Sequence, residues 1–189
     1  TIRYSAGLTP VAREGDSGAG SIEASAGIDA TGYIGFNVGS TGTVTVSGPG
    51  SEWTNSVGLY VGHGGAGTLT IENGGTVSNG TAIIGDYSTS TGIVTVRGAG
   101  SQWSNDILYI GLGGTGELTI EDGGAVSSSY GLFGVNPGST GTLTVSGAGS
   151  EWINSGALDI GLGGTGTQLN GGVAVTVGGA LRHHLQPVG

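Results

Sequence analysis

The same unit restarts every 24 or 25 residues along this chain. The pair Ser17-Gly18 recurs as Thr41-Gly42, Ala66-Gly67, Thr91-Gly92, Thr115-Gly116, Thr140-Gly141 and Thr165-Gly166. After most of these comes a short alternating stretch: Val44-Thr45-Val46, Leu69-Thr70-Ile71, Val94-Thr95-Val96, Leu118-Thr119-Ile120 and Leu143-Thr144-Val145. Alternation with period two is the mark of a strand with one buried side. A fixed period of this length marks each unit as one coil of a stacked array. The expected fold is all-β, a parallel β-helix or β-solenoid of about seven coils of 24–25 residues. At the ~4.8 Å spacing between strands, seven coils make a rod of about 30–35 Å.

Within coils 41–65 and 66–90, Val44/Val46 or Leu69/Ile71 point inward between outward threonines. A Gly-rich corner follows, Gly48-Pro49-Gly50 or Gly74-Gly75. Then come one large apolar residue, Trp53 or Val77, and an asparagine two positions later. A third stretch reads Leu59-Tyr60-Val61-Gly62 or Ala82-Ile83-Ile84-Gly85. Three strands and three corners per coil are expected. A single coil buries too little to offset the backbone entropy of ordering about 25 residues, so stacking is obligatory.

Gly accounts for 45 of the 189 residues. No collagen period accompanies it, and the regular Val, Leu and Ile exclude a flexible linker. Glycine therefore marks tight corners. The formal charge is −9 with no Lys, which argues against nucleic acid as a partner. Cys is absent, and no signal peptide or membrane-length apolar run is recognisable. With no Met in it, the chain reads as a processed product or an excised segment. Residues 1–16 lack the motif and are expected to cap or dock, 17–180 to form the coils, and 181–189, with His183 and His184, a tail.

A longer period overlies the short one. Trp53, Trp103 and Trp152 recur in Gly-Ser-Glu/Gln-Trp, with Val77 and Val126 at the same place in the coils between. These five should stack as an alternating large and small core column. Kelch-type propeller blades also repeat near 50 residues, but three periods are too few to close a propeller. Asn55, Asn79, Asn105 and Asn154 should form an internal amide ladder at one corner.

Catalysis on polysaccharides needs converging carboxylates or a cation. The acids here are scattered. Glu52/Glu151 and Glu72/Glu121 repeat by position, each pair expected two coils apart, about 10 Å. No enzyme, cofactor or metal site is expected, and His63 lies in a Gly-rich turn. Two outward stripes stand out instead. Tyr33, Tyr60, Ile83, Tyr109 and Leu132, ending in Asp159, form a candidate interaction stripe for a protein, a glycan or another copy. Thr43, Thr45, Thr68, Thr70, Thr95, Thr119, Thr142 and Thr144 form a Thr-x-Thr face interrupted by Ile93 and Glu117. That face resembles the surface of insect-type ice-binding proteins.

The units Thr-Gly-Thr-Val-Thr-Val-Ser-Gly-Pro-Gly-Ser-Glu-Trp (41–53) and Gly-Thr-Leu-Thr-Ile-Glu-Asn-Gly-Gly-Thr-Val-Ser (67–78) resemble repeats in the passenger regions of bacterial autotransporter outer-membrane proteins. The resemblance covers about residues 17–180. It implies a right-handed parallel β-helix, secreted or held at the outer face of a Gram-negative cell as an adhesin or stalk. The family's membrane barrel has no counterpart after residue 180, so no membrane insertion by this segment is expected. The expected role is non-enzymatic, structural or adhesive, with stacking into filaments or ice binding as alternatives.

Overall fold

The computed structural model describes residues 2–3, 18–23, 26–171, 174–177 and 180–183. Most of the expected N-terminal segment, Ser17 and His184 lie outside the described residues. Those described form a β-solenoid of about six turns, close to the expected number, with no helix among them.

A strand such as Ala66–Glu72 has its backbone donors and acceptors lying in the sheet plane, where only another strand can satisfy them. The repeat supplies an identical one above and below. Gly18–Glu23, Thr41–Ser47, Ala66–Glu72, Thr91–Arg97, Thr115–Glu121, Thr140–Val145 and Thr165–Asn170 pair in parallel as one sheet, which we call the first face. Ile2–Arg3 adds to its edge. Each Gly of the repeated dipeptide sits beside the next, from Gly18 to Gly166.

The other half of each coil differs from expectation. Ala26–Ile34, Glu52–Val61, Thr76–Ile84 and Gln102–Ile110 each run as one long strand across the second and third faces. Only in later coils does this path divide, as Ala125–Ser128 with Tyr130–Phe133 and Glu151–Asn154 with Leu158–Ile160. The corner between the second and third faces is therefore a bend, with a register shift where the strand Glu52–Val61 meets its neighbours. Asn55 pairs with Asn79 and Gly58 with Thr81, so Ser56-Val57 oppose Gly80 alone. A bulge of this kind turns a strand without a glycine corner.

The inward positions stack in columns. Trp53, Val77, Trp103, Val126 and Trp152 occupy successive registers and are all buried. The ring of Trp152 stacks on Phe133, with centroids 5.6 Å apart. Beside this column Asn55, Asn79 and Asn105 are in register, Ser128 takes the position in the fifth coil, and Asn154 follows. Asn79 Nδ2 donates to Asn105 Oδ1 at 2.8 Å, and that is the one amide-to-amide step among the described residues. The series instead serves the tryptophans. Trp103 Nε1 donates to Asn79 Oδ1 at 2.9 Å, and Trp152 Nε1 donates to Ser128 Oγ at 3.0 Å. Ser128 Oγ in turn donates a hydrogen bond to Asn154 Oδ1, and the Asn154 Nδ2 donates to the carbonyls of Gly156 and Ala157 at the bend. These two indoles thus find their acceptors one coil back, whereas the Trp53 indole N–H and the Asn55 amide are buried with no hydrogen-bond partner among the described residues.

The corner after the third face alternates between a wide loop, 35–40, 85–90 and 134–139, and a tight turn, 62–65, 111–114 and 161–164. The wide loop folds over the next tight turn, whose Gly-Gly pair leaves it room. A Cβ on Gly65 would lie 2.3 Å from the Ser40 carbonyl oxygen. Buried Ser40, Ser90 and Ser139 close the wide loops, each hydroxyl donating across three residues to a carbonyl at 2.8 Å. Two coils are therefore the true structural unit. Gly65→Ala should cost about 1–3 kcal/mol, since backbone must shift to admit the methyl. Urea unfolding read by circular dichroism checks this, and an unchanged midpoint would contradict it.

A candidate interaction face

On the outward side the strand period leaves chemistry unconstrained by the core, and the three faces diverge. The first face carries the threonines. Thr45, Thr70, Thr95, Thr119 and Thr144 form an unbroken column, while Thr43, Thr68 and Thr142 belong to a column cut by exposed Ile93 and Glu117. Beside them Arg97 bridges to Glu72 one coil away, and that carboxylate holds the guanidinium pKa above its ordinary value. The second face is also hydroxyl-rich. Thr54 bonds Ser78 at 3.1 Å, and Ser127 donates to Ser104 at 3.2 Å.

The third face is different. Tyr33, Tyr60, Ile83, Tyr109, Leu132 and Asp159 fall in one register column, as the strand period requires. All are half-buried except Ile83, which was expected on the surface and is only 7% exposed. It sits in register between Tyr60 and Tyr109, both larger than itself. Two residues earlier on the same side runs a second column: Thr31, Gly58, Thr81, Ile107 and Tyr130.

A third column escapes the strand rule. Each of Phe36, His63, Asp86, Leu112, Val135 and Leu162 follows a glycine at positive φ, from Gly35 to Gly161. That turn points the next residue back over the face it has just left. Glycine is required there because a Cβ on Gly62 would fall 2.2 Å from the Thr91 carbonyl oxygen. The ladder continues through the turn, with His63 N–H donating to the Gly35 carbonyl and Asp86 N–H to the Gly62 carbonyl.

His63 lies among four aromatic rings, with centroids 5.1 Å from Tyr33, 5.0 Å from Phe36, 5.3 Å from Tyr60 and 4.8 Å from Tyr87. Its Nδ1 is 2.7 Å from Asp86 Oδ2. Tyr33 and Tyr60 stack 4.8 Å apart at 19°. Stacked along the rod, these rings cover each other's faces and offer edges and hydroxyls outward. Sequence reasoning left His63 in a turn, and the signal for it was the spacing i, i+3 that pairs Tyr33 with Phe36 and Tyr60 with His63.

The remaining expectations sort as follows. Glu72 and Glu121 stand two coils apart with Arg97 between them, whereas Glu52 and Glu151 stand four coils apart, not the two expected, because Thr76, Gln102 and Ala125 intervene. Among the described residues no three potential ligands gather around a metal position. His183 pairs by backbone with Ile160. Arg182 continues the stripe beyond Asp159, 3.5 Å from its carboxylate.

No family model, curated protein or solved structure matches this chain. The reading of the third face rests on its own geometry.

Burial, then the nearby Tyr33, Asp86 and Tyr87, push the Tyr60 phenol above its ordinary value. A raised folded-state pKa means the native chain holds that proton more tightly than the unfolded one. Stability is therefore complete below about pH 10, the unfolded value, and falls as pH rises beyond it. Alkaline melting curves should show this loss, and Tyr60→Phe should reduce it. A Tyr60→Phe variant with the same alkaline slope would contradict the burial of this group.

Proposed function

We propose that this chain is a non-enzymatic extracellular structural or adhesive rod, displayed at a bacterial surface and acting by association through its third face. The observation that carries this reading is the contrast between faces. Two are covered by hydroxyls and scattered charge, and the third offers contiguous aromatic and aliphatic groups in register. Exposed apolar surface of this extent on a soluble monomer marks an interaction site. Tyrosine suits such a site because it is rigid, apolar along its body and polar at its tip. The resemblance of the repeats to autotransporter passenger regions supports the location.

In a binding assay on immobilised extracellular-matrix proteins, glycans and bacterial cells, the purified chain should be retained. Thr68→Lys on the first face should leave retention unchanged, and Tyr109→Lys should abolish it. Retention lost equally in both variants, or absent in the parent, would overturn the assignment. Turnover of an acidic polysaccharide would overturn the non-enzymatic part.

The unbroken Thr45 to Thr144 column favours ice binding as a second reading. Exposed Ile93 and Glu117 break the neighbouring column that a flat lattice contact needs. No thermal hysteresis is therefore expected. Hysteresis in the parent that disappears in Thr70→Lys would move the function to the first face.

A further inference from the structure

We infer that the occupant of the third face is a second copy of this chain, bound by that same face with the two rods antiparallel. The inference rests on the reading of this face as an association surface and supplies its partner.

The first argument is period. The face presents side chains at the ~4.8 Å spacing of stacked strands. A partner matching every coil must carry the same period, and another copy does so by construction.

The second argument is relief. A two-fold axis lying in the interface, parallel to the strands and midway between the third and fourth coils, sets each column against itself in reverse. The stripe then places Tyr33 opposite Asp159, Tyr60 opposite Leu132, and Ile83 opposite Tyr109. Every tyrosine meets a smaller residue, and the Tyr33 hydroxyl meets a carboxylate. The neighbouring column places Tyr130, half exposed, opposite Gly58, and Ile107 opposite Thr81. An axis along the rod would instead set each tyrosine against its own copy. Interdigitation of unequal side chains is what sheet-on-sheet packing requires, at about 10 Å between sheets.

Charge and area agree. The chain carries −9, yet on this face Asp86 is hydrogen-bonded to His63 and Asp159 is paired with Arg182, with exposed Asp106 at the bend that borders it. Acids that would repel a second copy sit elsewhere, at Glu52, Glu117, Asp122 and Glu151. Depletion of unpaired charge is a mark of self-association surfaces. Six strands at ~4.8 Å and six residues at ~3.3 Å span about 570 Å², or about 1,140 Å² for the pair. That clears the ~1,000 Å² expected of a specific interface and places the pair among the weaker ones.

Sedimentation equilibrium of the full chain should show a monomer–dimer equilibrium in the micromolar range. Leu132→Tyr keeps the face apolar but opposes two tyrosines, and should weaken the dimer at least about tenfold. The exchange variant Tyr60→Leu with Leu132→Tyr restores large against small and should recover it. The chain has no cysteine, so Gly58→Cys with Tyr130→Cys reports orientation. Those positions are three coils apart in one chain, about 14 Å, too far to bridge within it. Oxidation should give a covalent dimer from the double variant and none from either single one. A parent that stays monomeric, a Leu132→Tyr chain that associates like the parent, or an exchange variant no better than Leu132→Tyr alone would overturn the pairing. A monomer whose surface retention is still lost in Tyr109→Lys would overturn the pairing and leave the association face standing. A dimer with no surface retention would leave the pairing standing and overturn the adhesive role.

Discussion

Everything in this molecule depends on the parallel ladder in register. Each residue lies beside the residue one repeat away, so any property written into the repeat becomes a column along the rod. Inside, the column must be apolar or internally bonded, because a coil has no other shelter for it. The tryptophan column shows both conditions at once. The rings fill the interior, and the indole N–H groups of Trp103 and Trp152 are satisfied one coil back by Asn79 and Ser128. The asparagines are held in place less by bonding one another than by the tryptophans they serve.

The same ladder explains why alternate coils differ. Two tryptophans in successive registers would compete for one volume, so valine stands between them. Two wide loops in succession would likewise compete for the space over one turn, so the tight Gly-Gly turn stands between them. Both alternations have a period of two coils, and they lock together. A slip by one coil would put tryptophan over tryptophan and loop over loop, with a Gly65 or Gly114 position opposed by carbonyl oxygens at once. The wide and tight corners thus defend the register that a repetitive sequence leaves weak.

What was legible in the sequence follows this logic. Columns along strands could be read directly, because the period of two tells which side each residue takes. Hence the core column, the threonine columns and the tyrosine stripe lie in the predicted registers. The misses lie where chain direction changes. The bend near Asn55 was taken for a corner because an asparagine and small residues look like a turn, yet the chain passes through it as a bulged strand. Ile83 follows the strand rule but lies between two larger tyrosines, and neighbours in other coils decide exposure. His63 and its column follow a positive-φ glycine that re-aims the side chain, and alternation carries no information across such a residue. The spacing of Glu52 and Glu151 was misjudged by counting the tryptophan motif as consecutive, when a valine coil separates each occurrence.

The outer surface carries functional information because the fold does not need it. A threonine at an outward position satisfies the strand, so a face made of hydroxyls is the default of this architecture. Departures from that default require a separate cause. On the first face they are few, Ile93 beside Glu117 in one column and the charged run Glu72, Arg97 and Glu121 in another, and they make no apolar column. On the third face they run through the column from Tyr33 to Leu132 and recur beside it, in Ile107 and Tyr130 and in the turn residues Phe36, Leu112 and Leu162. Stability does not demand this, since those side chains stay partly in water where burial contributes least. Exposed apolar columns at this density also carry the hazard of indiscriminate association. The unequal sizes within them, with glycine and isoleucine set among tyrosines, limit that hazard by admitting only a surface of matching relief. That relief is what separates a specific contact face from a merely apolar one.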